Sequence, residues 1–393
     1  MDGPFLAEPA SSAGSQRPIG FFVHHQGRGH ARRCEAIIAA MEPRPITIFT
    51  ADPSILSPDV PADVVALPNM IGAAALTEGL FGVAPPDRLH CVPLGVPEVT
   101  ETMARMVAWV RAARPALMVV DVSAEIALLM RLLSVPAIKI RMHGDRADPF
   151  HLAAYDACVG LLAPFDEAIE QPDYPGFARR KTCYTGGLCP TNAPVPDKAA
   201  ARHVLGLPQE REVVVAISGG GGTGTPYAPL TMAARARPDA LWLAIGPLHR
   251  EGHETDFANL TTLGWVPDAL SYIAAADCVV ASAGDTTVTE VARVGRPFLC
   301  VPEWRYFDEQ VAKAREMARV GACATLERWP ASSAQWLDAL ARAEATDIAA
   351  QRRLFAPDAA DRAARFVEGW ADRLWREPIR LDAGARPTLE IVS

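Results

Sequence analysis

Three stretches concentrate side chains able to do chemistry. FFVHHQGRGHARRCEAI, residues 21–37, follows an apolar run with His24, His25 and His30, and sets Gly27 and Gly29 beside the third of them. An imidazole near neutrality can take a proton from a hydroxyl, and glycines let a strand turn sharply into a helix. In the first turn of that helix, His30 would meet the positive end of the dipole, which disfavours imidazolium and keeps the ring able to accept a proton. His24 and His25 are neighbours on a strand, so one of them points away from any given face. SGGGGTGTP, residues 218–226, separates the strand-like EVVVAIS from a helix pattern, and its bare backbone N–H groups can approach a phosphate or a sugar. A flexible tight turn is the other reading. The letters satisfy GxGxxG through Gly219, Gly221 and Gly224, but the next strand ends in Gly246-Pro247, where a dinucleotide site needs an acid. Thr225-Pro226 stands where a Walker loop needs Lys-Ser/Thr. The third stretch, SAGDTTVTE from Ser282 to Glu290, predicts a helix opening at Asp285 or Thr286 with Glu290 one turn inside. Its N-terminus is a second anion site. Thr287 to Glu290 also matches a capping box, in which Glu290 satisfies only a backbone N–H.

Those stretches need a scaffold, and the apolar runs supply one. Strands are predicted at 18–24, 45–50, 63–67, 116–121, 136–141 and 157–162, then at 212–218, 240–246, 260–264, 277–281 and 297–302. Helix patterns alternate with them, such as 29–41, where Cys34, Ile37, Ile38 and Met41 share one face, and 123–133, 226–236, 268–275, 286–294 and 308–320. The fold class is α/β, two doubly wound Rossmann-like domains facing a cleft. Ligands of such sheets bind beyond the carboxyl ends of the strands, where all three stretches fall. The expected organisation is an N-terminal arm, 1–17; a first domain, 18–186; a Pro- and Gly-rich linker, 187–203; and a second domain with C-terminal helices, 204–393. Residues 68–97 read as a long loop region.

Composition narrows the classes. The net charge is −8, and the one tight basic cluster, Arg179-Arg180-Lys181, reads as a solvated turn, so nucleic acid is not an expected partner. No apolar stretch approaches the ~20 residues of a membrane span. The eight cysteines include no CxxC and several sit in apolar runs, which suits thiols in a reducing cytoplasm. Clustered carboxylates and DxD-like motifs are lacking, so no metal is expected.

The segment 264–310 resembles the carboxyl-terminal domain of GT-B glycosyltransferases, especially the inverting group containing the peptidoglycan N-acetylglucosaminyltransferase (family 28-like) and related UDP-sugar transferases. The resemblance covers most of 204–325. It implies that Gly284, Asp285 and Thr286 open the helix beneath the donor diphosphate, with Ser282 just before them. It implies further that Glu290 holds the ribose and that Glu309 and Gln310 hold the sugar hydroxyls. Trp265 and Val266 then line the base pocket, and Ser218, Gly219, Gly220 and Gly221 approach the donor from the glycine loop. Trp265 as core, and Glu309-Gln310 as an exposed helix start, are the plainer readings of those residues. In the first domain the resemblance assigns His30 as the base on the acceptor hydroxyl, with Asp121, at the end of LMVVD, as its orienting partner. An N-cap for helix 123–133 is the other role open to Asp121. His143, beyond another strand end, is a reserve acceptor contact.

The implied function is transfer of a sugar from a nucleotide-diphosphate sugar, a UDP-sugar by resemblance, to an acceptor hydroxyl with inversion and without a metal. The nucleotide-sugar is a co-substrate, and no cofactor is implied. The acceptor is a lipid-linked sugar, a polysaccharide or a small molecule. The expected location is cytoplasmic, compatible with peripheral contact at the inner membrane face. A UDP-sugar epimerase of the same fold and a non-catalytic sugar-nucleotide-binding module are the competing classes.

Overall fold

The computed structural model describes residues 17–70, 92–188, 193–219, 222 and 224–375. Its first sheet has seven strands: β1 (Ile19–Phe22), β2 (Ile46–Thr50), β3 (Asp63–Ala66), β4 (Leu117–Asp121), β5 (Ala137–Ile140), β6 (Gly160–Ala163) and β7 (Thr182–Tyr184). The helices between them are α1 (Arg28–Ala39), α2 (Pro97–Ala113), α3 (Ala124–Leu132), α4 (Pro149–Ala157) and α5 (Gly176–Arg179). A second sheet of six strands uses β8 (Val213–Ile217), β10 (Leu241–Ile245), β12 (Leu260–Gly264), β13 (Cys278–Ala281), β14 (Phe298–Cys300) and β15 (Ala324–Thr325). Two short strands, β9 (Thr225–Pro226) and β11 (Leu248–His249), pair apart from it. Helices α6 (Lys198–Val204), α7 (Tyr227–Ala236), α8 (Ala269–Ala275), α9 (Asp285–Val294), α10 (Glu309–Arg319), α11 (Ser333–Glu344), α12 (Ile348–Arg352) and α13 (Ala359–Leu374) are the remaining α-helices of the described residues, besides short 3-10 turns.

Neighbouring strands in both sheets run parallel. Covered by helices on both faces, the central strands are uniformly apolar, as in IGFF, VVVAI and CVVA, and every residue of each is buried. The strand orders are β3-β2-β1-β4-β5-β6-β7 and β12-β10-β8-β13-β14-β15. The order reverses between β1 and β4 in the first sheet and between β8 and β13 in the second, and such switch points open crevices. His30 and Asp121 follow the first pair. The glycine loop and SAGD follow the second.

Two expected boundaries are corrected. Residues 198–204 are helical, and Ala201 joins the second domain's core, so the connection ends before residue 203. The range 204–393 is too long for the second domain, because α13 crosses back. Its Ala359, Ala363, Ala364, Val367 and Ala371 pack with Ile19, Ile37 and Ile46 in the first domain's core. An amphipathic stripe shows that a face is buried, not which sheet buries it. The basic cluster is also less solvated than expected, since Arg179 donates to the Gln171 and Tyr174 carbonyls and Lys181 to those of Asp156 and Cys158. Residues 1–16, most of the 68–97 loop region and linker residues 189–192 lie outside the described residues.

The domains interlock beside the cleft. Asp145 N donates to the Phe307 carbonyl at 2.7 Å, and Arg146 Nη2 pairs with Glu309 Oε2 at 2.7 Å. Gly144 makes this approach possible: its φ is +115°, and a Cβ there would collide with the Phe307 carbonyl oxygen. Gly144→Ala is therefore expected to cost at least ~1–3 kcal/mol through backbone strain alone. Calorimetry of the variant should show a lowered Tm, and an unchanged Tm would mean that the interface slides freely.

Candidate active site

The GRGH turn is built as a glycine-opened helix start. Gly27 is the N-cap of α1 at φ 92°, with no side-chain cap, and His30 stands in the first turn. His30 Nδ1 lies 2.6 Å from Asp121 Oδ2. Asp121 is fully buried at the end of β4. It is not a cap: Ser123 caps α3 by accepting from Ile126 N. Between them Val122 adopts φ 51°, costly for a β-branched residue, in a tight turn closed by Ser123 N to the Asp121 carbonyl at 2.7 Å. Burial alone would favour the neutral acid, but His30 and then Arg33 beside it hold the Asp121 carboxyl far below the usual carboxylate range. We assign the His30 proton to Nδ1, facing the carboxylate, which leaves Nε2 as the acceptor.

His24 and His25 do not alternate across a strand, because β1 ends at Phe22. Their rings stack at 5.1 Å, and His24 also lies 5.2 Å from His30. Burial, with His30 next, lowers the His24 pKa to about 3, so that ring stays neutral.

Sequence reasoning missed Arg33, which ties this pair to the other domain. It is 5% exposed, with Nη2 2.7 Å from Asp121 Oδ1 and Nη1 2.7 Å from Asp285 Oδ2. Lys313 of α10 pairs with the other oxygen of Asp285. The signal was available: a charged residue beside Cys34 on the apolar face of α1 requires a buried partner.

On the donor side, Gly284 is the N-cap of α9 without a side-chain cap, so Thr287 lies inside the helix and does not open a capping box. A Cβ on Gly29 would lie 3.9 Å from Thr286 Oγ1, so the GRGH turn directly faces this helix start. Glu290 is half-buried one turn in, and burial, then the charge of Asp268, raises its carboxyl to about 7. Ser218 and Ser282 are buried at strand ends, and Ser218 Oγ has no partner among the described residues. Gly219 borders open space. Gly220 and Gly221 lie outside the described residues. Trp265 is 67% exposed at the end of β12, which rules out the core reading, while Val266 packs against the core.

Glu309 and Gln310 are not an exposed helix start. Glu309 Oε2 is held by Arg146, and the buried Gln310 turns Oε1 onto Ala283 N and Glu303 N, bracing the ends of β13 and β14. Glu303, which sequence reasoning missed, sits against the glycine loop, where a Cβ on Gly222 would strike its carboxylate. His143 is corrected. It is fully buried, with Nε2 2.8 Å from the Ile169 carbonyl and its ring 4.0 Å from that of Phe165, and it presents no surface to an acceptor. The Ile169 carbonyl and the Phe165 ring cover it beyond the strand end, so it does not reach the cleft.

Among the described residues no three His, Cys, Asp or Glu side chains group so as to hold a metal ion, and no helix is long and apolar enough to cross a membrane. The arrangement can do two things. A hydrogen-bonded imidazole can accept a proton, and an uncapped helix N-terminus directly opposite can stabilise an anion.

Comparison with known proteins finds similarity to glycosyltransferases. Residues 232–362 match the family model "Glycosyltransferase family 28 C-terminal domain". Over 107 residues the chain is 36% identical to the UDP-N-acetylglucosamine--N-acetylmuramyl-(pentapeptide) pyrophosphoryl-undecaprenol N-acetylglucosamine transferase of Burkholderia ambifaria, an alignment covering 26% of this chain and 29% of that one. The chain thus spans under a third of the length of that relative. The protein of the same name from Methylobacterium sp. aligns over 327 residues at 27% identity, covering 74% of this chain and 86% of that one. The solved structure of the spinosyn rhamnosyltransferase SpnG complexed with thymidine diphosphate superposes with a TM-score of 0.57 at 18% identity, covering 91% of this chain and 99% of that one. At that identity the likeness is one of fold.

Proposed function

We propose that this chain, which has the GT-B fold and carries a glycosyltransferase family 28 C-terminal domain, moves a sugar from a nucleotide-diphosphate sugar to an acceptor hydroxyl, with inversion and without a metal. The observation that carries the reading is the His30–Asp121 pair at one switch point, set against the uncapped start of α9 at the other.

In this reading the donor base rests against Trp265 and Val266, and Glu290 accepts the ribose hydroxyls. The diphosphate lies on the backbone N–H groups of Gly284 to Thr286 and against Ser218 and Gly219 at the end of β8. The sugar meets Glu303 Oε1, Glu309 Oε1 and Gln310 Nε2, while Arg305 holds the other oxygen of Glu303 and Arg146 that of Glu309. The acceptor oxygen attacks the anomeric carbon as its proton passes to His30 Nε2. The bond from that carbon to the diphosphate oxygen breaks, and the nucleoside diphosphate leaves with the electron pair. Asp121 holds the imidazole and balances its new charge. One displacement inverts the anomeric centre. The activity named for those relatives favours UDP as the nucleotide and a sugar on a lipid diphosphate as the acceptor.

A panel of UDP-, GDP- and TDP-sugars tests the donor by thermal shift, with the UDP-sugar expected to give the largest. Transfer should continue in EDTA, because the α9 start supplies the positive potential that a metal would otherwise bring. Activity that vanishes with EDTA and returns with manganese would overturn the metal-free mechanism. A second sugar epimer formed from the UDP-sugar alone, with no acceptor present, would identify an epimerase. Binding without release of UDP from any donor and acceptor pair would identify a binding module.

A further inference from the structure

We infer that Arg33 is a positioning residue that couples the base to the placement of the donor helix, holding Asp121 with one guanidinium nitrogen and Asp285 with the other. The inference rests on the reading of His30 as the base. Both bonds measure 2.7 Å, and they join the first sheet's β4 to the second domain's α9. Arg33 is nearly fully buried and its Nε has no partner among the described residues, so these carboxylates are its main anchors. A planar guanidinium fixes the separation and angle of two carboxylates, which a lysine ammonium does not. Lys313 holds Asp285 from the far side, so that carboxylate cannot swing to follow Arg33. When the domains part, Arg33 must therefore release Asp285 or pull Asp121 away from His30.

The charge arrangement gives this link a consequence for the base. Around His30 stand His24, His25 and Arg33 from its own segment, Asp121 from β4, and Asp285 with Lys313 from α9 and α10. Arg33 Nη2 lies 2.9 Å from His30 Nδ1. It can only donate, so it makes no hydrogen bond to a protonated Nδ1 and instead opposes imidazolium by its charge. Asp285 offsets that charge while the donor helix is in place. With the helix withdrawn that counter-charge is gone, and the guanidinium stands against the ring unopposed. Arg33 thus holds the partner of His30 and the donor helix in one arrangement only while the two halves are docked.

The test is the pH profile of kcat/KM, with donor affinity measured separately. Arg33→Met should lower kcat about 10–100-fold, the scale of a misplaced catalytic group. It should also move the acid limb to higher pH, with donor Kd changed little. Asp285→Asn should move that limb the opposite way, to lower pH, because Arg33 loses its counter-charge. Arg33→Lys should restore the limb but not kcat, having the charge without the fork. Should Arg33→Met fail to fold, the Lys and Asp285→Asn variants carry the same test. An unmoved acid limb in folded Arg33 and Asp285 variants, while His30→Ala remains impaired, would overturn the coupling and leave the base assignment standing. A fully active His30→Ala would remove the base assignment itself.

Discussion

Sugar transfer by His30→Ala is expected to fall roughly 10²–10⁴-fold while the donor's affinity stays as in the wild type. A general base acts on the acceptor hydroxyl only as the bond forms, so its loss appears in turnover. The proposed donor contacts stand in the other domain, on α9 and the loops beside it. Asp121→Asn should show a milder loss of the same kind, since it keeps the shape but not the charge that orients the ring at 2.6 Å. Wild-type activity should decline at acidic pH as the imidazole takes up a proton, and the product should carry the anomeric configuration opposite to the donor's. Unimpaired turnover in His30→Ala would mean that the GRGH turn is structural. A product with the donor's configuration would mean a different mechanism.

Glu290→Gln should weaken nucleotide binding about tenfold or more, because a carboxylate receiving two ribose hydroxyls makes charge-assisted bonds worth ~1.5–3 kcal/mol each. The same substitution should make the empty protein more stable at alkaline pH. The Glu290 carboxyl is raised to about 7 by burial and then by Asp268. A raised acid binds its proton more tightly in the folded state than in the unfolded chain. Wild-type stability therefore declines as pH rises from the ordinary glutamate range, ~4.3, through about 7, and the loss is complete above that. Glutamine has no proton to lose, so the variant's Tm should exceed the wild type's at pH 8 and match it near pH 4. A variant that loses stability and keeps its nucleotide affinity would return Glu290 to a structural role.

Much of the scaffold was legible because parallel strands covered on both faces read as apolar runs. The strands carrying the site, IGFF, LMVVD, VVVAI and CVVA, all lie within the predicted segments. The recognised family resemblance holds as well. What escaped is long-range. Arg33 meets Asp121 across 88 residues and Asp285 across 252, and neither spacing leaves a periodic trace. Glu303 lies against Gly222 across a long stretch of sequence and with β13 between their strands, which leaves no local trace either. His143 was misplaced because a strand end shows where the chain emerges and not how deeply later segments, here Phe165 and Ile169, then cover it. β7 and β15, with three and two residues, are shorter than any reliable alternation.

The returning helix α13 has a consequence for how the molecule is made. A nascent chain leaves the ribosome amino end first, so the sheet around Ile19, Ile37 and Ile46 is synthesised early, and the apolar face that α13 covers waits for Ala359 to Leu374. The half made first is the half finished last. By the time that helix is made the second sheet is already complete and can assemble on its own strands, so the two halves should mature in the reverse of their order in the gene. A premature stop ahead of Ala359 would therefore do its damage at the opposite end of the protein, leaving the GRGH half open while the glycine-loop half folds.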